Sequence, residues 1–329
     1  MSTSPTAPAG HPSEAPASPD TRRPPVVAVV GPTAVGKSDL GVALALELGG
    51  EVVNADSMQL YRGMDIGTAK LTPEERRGVP HHLLDIWDVT EPAAVAEYQR
   101  LARAEIDRLR AAGRVPVLVG GSGLYVRAAL DAMDFPGTDP RVRARLEAEL
   151  AKTGTGPLHA RLAAADPAAA AAILPSNGRR IVRALEVIEI TGQPFTARLP
   201  EHTYHYDTVV QLGLRMPRAD LDARIDLRVD RMWEAGLVDE VRELAERHRL
   251  RDGLTASRAL GYQQVLEWLA GDAPGPGGEA AARAETARAT RKFARRQESW
   301  FRRDPRVHWL DTPASPGALL ARSLAVVRA

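Results

Sequence analysis

A phosphate-loop motif near the amino terminus constrains this sequence more than any other feature. The octapeptide Gly31-Pro32-Thr33-Ala34-Val35-Gly36-Lys37-Ser38 matches the pattern G-x-x-x-x-G-K-[ST]. The apolar, mostly β-branched run Val26–Val30 precedes it directly and is typical of a buried parallel strand. A helix is predicted after it, from about Lys37 to Leu48. A strand, a glycine-rich loop and a helix in this order predict a P-loop α/β domain.

The motif predicts a site for a diphosphate group. Successive backbone N–H groups and the positive end of the helix bind the anion, and the Lys37 ammonium adds a mobile positive charge. We therefore assign diphosphate binding to all eight residues from Gly31 to Ser38, and we expect the Ser38 hydroxyl to bind Mg²⁺. A diphosphate is not always part of a nucleotide, so the motif alone does not specify ATP.

A second candidate residue, Asp56, follows the next predicted strand, Glu51–Asn54. Ligands bind at the carboxyl ends of parallel strands, so Asp56 and the phosphate loop are expected to face the same cleft. Two interpretations are open: Asp56 is a turn or helix-capping residue, or it is a general base beside a bound diphosphate.

The carboxylate that usually holds Mg²⁺ in P-loop hydrolases is absent from its expected place. The apolar strand Val115–Val119 continues into Gly120-Gly121-Ser122-Gly123, without an acidic residue at its end. The usual apparatus for hydrolysing a nucleotide is therefore not expected. We expect the glycines of this turn to let the backbone approach a substrate, because a Cβ atom there would collide with it.

The order of the remaining segments predicts a three-layer, P-loop NTPase-like α/β core with a parallel sheet and a helical insertion domain. Strand character is also present at Leu83–Asp88, and it returns only once after the insertion, at Thr208–Met216, before helices run to the end. The predicted units are a disordered tail (residues 1–24), the first part of the core (25–135), the insertion (136–205) and the second part of the core (206–329).

Composition excludes several classes of protein. No apolar run approaches the roughly 20 residues that span a bilayer, and there is no cysteine for a disulfide, an iron–sulfur cluster or a zinc site. We expect a cytoplasmic monomer. The 43 basic and 42 acidic residues leave a net charge of +1, so any nucleic-acid surface must be local. Such a local excess exists between Arg283 and Arg303, where eight basic residues stand against two acidic ones.

Further segments of the sequence resemble the tRNA dimethylallyltransferases, also called tRNA isopentenyltransferases. They occur in the order of that family from about Val26 to Arg303, which is nearly the whole chain. The most specific is the seventeen-residue stretch Asn54–Lys70. The others are Gly31–Ser38, Pro80–Asp85, Pro116–Tyr125, Arg183–Val187, Gly261-Tyr262 and Thr290–Arg303.

The resemblance implies transfer of a dimethylallyl group from dimethylallyl diphosphate to the N6 amine of an adenosine just 3′ of the tRNA anticodon. Diphosphate would leave with the assistance of Mg²⁺. Asp56 would act as the general base, because an adenine amine is a poor nucleophile until its proton is accepted. Lys37, Thr33 and Arg224 would stabilise the departing diphosphate.

The same resemblance implies contacts with the tRNA anticodon stem-loop. It assigns them to Asp56, Ser57, Met58, Gln59, Ser122, Arg143, Arg179, Arg180, Ile181, Val182 and Arg183. Ser122 stands where the family usually has threonine, which keeps the hydroxyl. Pro175-Ser176-Asn177 replaces the usual Pro-Asn-Asp, so the turn before Arg179 is expected to differ.

Two other functions remain open from the residues themselves. A small-molecule kinase would use the same loop for ATP, with Asp56 activating an acceptor hydroxyl. The missing strand-end carboxylate and the long match through Lys70 argue against it. A nucleotide-dependent RNA-binding protein without catalytic activity is supported only by the basic segment near the carboxyl terminus.

Overall fold

A computed structural model describes residues 23–195, 202–271, 278–312 and 315–329 of the chain. The predicted disordered tail, residues 1–24, lies almost entirely outside the described residues. Within them, six strands form one sheet in the order β3-β2-β4-β1-β5-β6, and every neighbouring pair is parallel. The strands are β1 (Val26–Val30), β2 (Glu51–Asn54), β3 (His81–His82), β4 (Pro116–Gly120), β5 (Val209–Arg215) and β6 (Val307–Asp311).

Helices cover both faces of this sheet and form the insertion. In chain order they are α1 (Lys37–Leu48), α2 (Val95–Ala111), α3 (Gly123–Leu130), α4 (Pro140–Thr153), α5 (Thr155–Ala165), α6 (Pro167–Ala172), α7 (Gly178–Thr191), α8 (Arg218–Glu234), α9 (Leu237–Arg247), α10 (Tyr262–Leu269), α11 (Gly278–Phe301) and α12 (Pro316–Arg328). None of them is long and apolar enough to cross a bilayer.

Alternation of side chains along the central strands produces two separate hydrophobic cores. On β1, Val27 and Val29 pack with α1, α8 and α12, whereas Val26, Ala28 and Val30 pack with α2, α3, α9 and α10. Residues i and i+2 of a strand point to the same face, so a strand that is apolar throughout must be covered on both sides. This arrangement confirms the predicted three-layer α/β core.

A third hydrophobic core belongs to α4–α7 alone. Leu146, Leu158, Leu162, Ile181 and Leu185 are at its centre, and none of them contributes to the two cores of the sheet. Asn177 caps α7, because its side chain accepts a hydrogen bond from the Arg180 backbone N–H. The altered turn before Arg179 therefore still supplies a capping oxygen. We retain 136–205 as the proposed limits of the insertion.

The predicted strand Leu83–Asp88 is wrong. Pairing with β2 ends at His82, because Leu83 and Asp85 have φ values of 61° and 57°, in the left-handed region where a strand cannot continue. Long-range contacts hold this conformation, since the Leu83 carbonyl accepts a hydrogen bond from Asn54 and the Trp87 N–H donates to the Leu60 carbonyl.

The prediction of a single strand after the insertion is also wrong, since β6 pairs with β5 at the edge of the sheet. Its sequence, Val-His-Trp-Leu-Asp, places a polar residue on each side of the strand, and only Val307 is buried. An edge strand packs on fewer neighbours than a central one, and its pattern is correspondingly weaker.

A buried polar network lies where the chain enters and leaves the insertion. Asp131, fully buried at the end of α3, forms ion pairs with Arg127 at 2.6 Å and with Arg306 at 2.8 Å. Arg306 also contacts Asp304 at 2.7 Å. The Ala132 backbone N–H donates to the Thr203 carbonyl at 2.8 Å, so the two connecting segments are direct neighbours.

We expect Arg306→Met to lower the free energy of unfolding by about 3 kcal/mol, because it removes one of two cations from a fully buried carboxylate. Arg302→Met is the control, since Arg302 forms an exposed pair with Glu298 on α11 and should change stability by less than about 0.5 kcal/mol. Urea denaturation of both variants measures the difference. Equal losses of unfolding free energy in the two variants would mean that the buried network adds no stability.

Candidate active site

The phosphate loop between β1 and α1 is shaped to bind an anion. Gly31 and Gly36 have φ values of 136° and 100°, which side-chain-bearing residues rarely adopt. A Cβ atom at Gly31 would also lie 2.7 Å from the Leu214 carbonyl oxygen of β5. No side chain caps the amino terminus of α1, so its first N–H groups face the loop and can bind an anion.

Lys37 lies at the centre of the loop, and its ammonium donates to the Pro32 carbonyl at 2.7 Å. Burial lowers the pKa of Lys37 to about 7, the negative charge of Asp56 opposes this shift, and the positive charge of Arg228 adds to it. Lys37 and Asp56 follow β1 and β2, which flank β4 in the sheet, so both lie at the carboxyl edge where the sequence predicted a shared cleft.

Three arginines at helical spacing on α8 line a cavity of about 360 Å³ beside the loop. They are Arg224, Arg228 and Arg231, and Ala34 and Lys70 line the same cavity. Arg228 is the one that reaches the loop, since its Nη1 lies 3.5 Å from the Thr33 hydroxyl. Sequence analysis named Arg224 and missed Arg228, one turn further along the helix. The four-residue spacing between Arg224 and Arg228 was the signal in the sequence that could have identified Arg228.

Asp56 is held in a turn at the carboxyl end of β2. Its Oδ1 accepts from the Met58 N–H at 2.9 Å, while its own N–H donates to the buried Asn54 side chain at 2.8 Å. Asp56 is thus a turn residue, one of the two interpretations left open. Its Oδ2 has no hydrogen-bond partner among the described residues and remains available to accept a proton.

Two tyrosine rings lie next to this turn. Tyr98 donates its hydroxyl to the Asn54 carbonyl at 2.9 Å, and its ring centroid is 4.7 Å from that of Tyr125. Burial raises the pKa of both tyrosines, and the Asp56 charge raises each further. Both hydroxyls therefore stay protonated beside the carboxylate at neutral pH. Asn54 and Tyr98 support Asp56, and sequence analysis gave neither a role.

Residues 120–123, at the carboxyl end of β4, are called the glycine turn. This turn lies between the phosphate loop and Asp56. Ser122 Oγ lies 3.1 Å from both the backbone nitrogen and the hydroxyl of Ser57. A Cβ atom at Gly120 would lie 2.2 Å from the Ala55 carbonyl oxygen. The expectation that these glycines admit a substrate is therefore wrong for Gly120, whose missing Cβ makes room for the backbone of the protein itself.

Met58 and Gln59, two of the predicted tRNA contacts, make contacts within the protein. Met58 packs against the hydrophobic core, and Gln59 Nε2 donates to the Thr68 carbonyl at 3.0 Å. Gln59 thereby ties the Asp56 turn to the loop that carries Lys70. Lys70 in turn forms ion pairs with Asp65 at 2.7 Å and with Asp85.

The structure brings together two of the predicted tRNA-contacting arginines in the insertion. Arg143 of α4 and Arg183 of α7 both pair with Glu186, whose carboxylate is fully buried. Arg179 and Arg180 are exposed on α7, whereas the side chains of Ile181 and Val182 are buried in the core of the insertion. Any contact between α7 and RNA therefore falls to its arginines.

The basic segment 283–303 begins in α11 and ends two residues after it, and half of its cations are neutralised by carboxylates. The four paired arginines are Arg283, Arg288, Arg291 and Arg302. The four that form no ion pair within the described part of the chain are Lys292, Arg295, Arg296 and Arg303. These four account for the local positive charge of the segment.

Comparison with known proteins identifies the family that this chain resembles. The family model described as IPP transferase matches residues 59–304. The tRNA dimethylallyltransferase of Thermobifida fusca is 72% identical over 307 residues, covering 92% of this chain and 94% of that protein. The enzyme of the same name from Streptomyces coelicolor is 75% identical over 287 residues, covering 87% and 90%.

Two solved structures are also similar to this chain. The tRNA isopentenylpyrophosphate transferase of Bacillus halodurans has a TM-score of 0.66 and 41% identity, covering 93% of this chain and 95% of that one. A eukaryotic dimethylallyltransferase acting on tRNA has a TM-score of 0.76 and 27% identity, covering 92% and 77%.

Binding of inorganic diphosphate at pH 8 should take up close to one proton at Lys37. The free lysine, with a pKa of about 7, is mostly neutral at pH 8, and the anion raises that pKa. Calorimetry in buffers of different ionisation enthalpy measures the uptake, with Lys37→Arg as a control that is charged throughout. The difference in proton uptake between the parent and Lys37→Arg should vanish at pH 6, where Lys37 is already protonated. Equal proton uptake by both proteins at pH 8 would contradict the lowered pKa of Lys37.

Arg228→Gln should weaken binding of inorganic diphosphate by about tenfold or more, the effect of losing a charge-assisted hydrogen bond. Arg224→Gln removes the same charge one turn away and should weaken it by only about twofold, as an exposed charge does. Calorimetric titration of both variants decides between the two arginines. A larger loss of diphosphate affinity for Arg224→Gln would assign the main diphosphate contact to Arg224 instead.

Proposed function

The chain belongs to the IPP transferase family, and we propose that it transfers a dimethylallyl group from dimethylallyl diphosphate to the N6 amine of the adenosine just 3′ of a tRNA anticodon. The observation that carries this proposal is the placement of Lys37 and Asp56 at one edge of the sheet, after β1 and β2 on either side of β4. One side of the cleft can stabilise a departing diphosphate, and the other can accept a proton. A transfer from a diphosphate to an amine needs both.

The reaction requires one bond to break, one to form and one proton to move. The bond between C1 of the dimethylallyl group and the diphosphate oxygen breaks, and diphosphate keeps the electron pair. The adenine N6 forms a bond to C1 and loses a proton to Asp56 Oδ2. Because Met58 fixes Oδ1, the carboxylate presents its other oxygen to the cleft without rearrangement.

Negative charge builds up on the diphosphate as it leaves. The amides of the phosphate loop, the Lys37 ammonium, the Thr33 hydroxyl and Arg228 would surround that position, and Lys37 and Arg228 are already held against the loop. Donors that need no reorganisation stabilise the transition state more than flexible ones do. Lys37 contributes fully only when protonated, and the incoming diphosphate favours that form.

Mg²⁺ is the metal that fits this site. The described residues contain no group of three His, Asp or Glu side chains that could hold a metal ion by themselves. The Ser38 hydroxyl has no hydrogen-bond partner among them and follows Lys37 at the start of α1. Mg²⁺ commonly takes most of its ligands from water and substrate phosphates, so one hydroxyl is sufficient. Bound there, it would neutralise charge on the diphosphate.

We assign RNA contacts to the surfaces that expose cationic or polar groups. Arg179 and Arg180 on α7 are exposed, and Arg143 and Arg183 together outnumber the single carboxylate of Glu186. Ser57 and Ser122 lie beside Asp56, where the target base must enter. A base that reacts at its exocyclic amine has to leave the stack of the anticodon loop to reach this cleft. We propose a monomer that acts in the cytoplasm.

Purified protein, Mg²⁺, radiolabelled dimethylallyl diphosphate and an unmodified tRNA with adenosine at the target position test the proposal. Label should reach the tRNA, and Asp56→Asn should lower kcat by about 10² to 10⁴, the usual contribution of a general base. Asparagine keeps the Oδ1 that accepts from Met58, so the turn survives.

Asp239→Asn is the matched control, because Asp239 is an exposed carboxylate in the first turn of α9 and should leave kcat within about twofold of the parent. Transfer of phosphate from ATP to a small acceptor, with no label on tRNA, would establish a kinase instead. Binding of tRNA without any turnover would establish an RNA-binding protein.

A further inference from the structure

We propose that Gln297 is a positioning residue that fixes the separation between the phosphate loop and the glycine turn, and thereby between bound diphosphate and Asp56. It lies on α11 and is buried. Its Oε1 accepts from the Thr33 backbone N–H at 2.8 Å, and its Nε2 donates to the Gly121 carbonyl at 2.9 Å. The role in catalysis rests on the proposed function, whereas the role in diphosphate binding does not.

A side-chain amide offers an acceptor oxygen and a donor nitrogen on two separate atoms of one neutral group. Glutamine therefore satisfies an N–H group of one loop and a carbonyl group of another with one side chain. Without it, the partly buried Thr33 N–H and the buried Gly121 carbonyl would both lose this partner, which is unfavourable. Neither loop is close to Gln297 in sequence, so this contact depends on the placement of α11.

Two glycines allow α11 to come this close. A Cβ atom at Gly121 would lie 2.3 Å from Gln297 Nε2, and one at Gly123 would lie 2.2 Å from the Trp300 ring. Residues 297 and 300 lie on one face of a helix, because positions three apart are neighbours. The glycine turn is thus shaped to receive α11, a second observation that is independent of the hydrogen bonds.

Each loop that Gln297 joins carries one half of the chemistry. Thr33 contacts Arg228 on the diphosphate side, and Ser122 holds Ser57 beside Asp56 on the acceptor side. A rotation of the Gln297 amide would release both loops together. Misplacement of reacting groups by about 1 Å lowers rates by about 10²-fold, so a small relaxation is enough to be measured.

The first test compares Gln297→Met, which keeps the length but loses both hydrogen bonds, with Thr286→Val. Thr286 is buried in the same helix and donates to the Ala282 carbonyl, far from the loops. We expect Gln297→Met to bind inorganic diphosphate about tenfold more weakly and to show a kcat about 10- to 100-fold lower, with the tRNA dissociation constant within about twofold. Thr286→Val should change none of the three.

The second test is Gly121→Ala, which removes no hydrogen-bonding group but displaces the Gln297 amide. It should reproduce the weaker diphosphate binding, and the double variant Gly121→Ala/Gln297→Met should be no weaker than either single variant. Additive losses would overturn the proposal, because they would mean that the two residues act separately. Gly121→Ala carries the test if Gln297→Met fails to fold.

Two outcomes separate this inference from the proposed function. If the parent protein transfers no dimethylallyl group, the proposed function fails, yet the diphosphate measurements still decide the role of Gln297. If the parent is active and Gln297→Met binds diphosphate and turns over like Thr286→Val, the positioning role is refuted and the proposed function stands.

Discussion

Parallel pairing of β4 with β1 on one side and β2 on the other is the constraint on which the rest of the site depends. It places Asn54 beside Val119 and Val30 beside Gly120, so the chain leaves three neighbouring strands at one edge. The phosphate loop and the Asp56 turn then have only the glycine turn between them. The backbone hydrogen bonds of the sheet thus set the spacing of the strand ends from which these loops start, and the contacts of Gln297 join two of the loops beyond the sheet.

Positive charge is distributed unequally between the surface and the cleft. Many exposed arginines of the described chain are neutralised by a carboxylate three or four residues away, as in Arg100 with Glu97 or Arg108 with Glu105. In the cleft, Lys37 and Arg228 form no ion pair with a described carboxylate, and burial lowers the pKa of both cations, although the charges of Asp56 and, for Arg228, of Asp39 oppose the shift. A nearly neutral protein therefore concentrates unneutralised charge where an anion would bind and be released.

Sequence could predict those parts of the site that depend on local order. The strand, loop and helix around Lys37 and the position of Asp56 after β2 follow from neighbouring residues, and the structure places them as expected. Arg228 and Gln297 could not be found in this way, because their roles depend on how α8 and α11 cross the phosphate loop. The strand expected at Leu83–Asp88 failed for the same reason, since its turns are held by Asn54 and Leu60 from a distant segment.

The contact between Ala132 and Thr203 closes the insertion on itself. A segment whose two ends are adjacent can be lengthened, shortened or exchanged while the connections of the core stay the same, because the entropy of loop closure changes only slowly with length. The insertion also has its own hydrophobic core, so its packing is independent of the sheet. Evolution can therefore alter the exposed surface of the insertion without altering the packing of the sheet, and the site of exchange is a hydrogen-bonded junction.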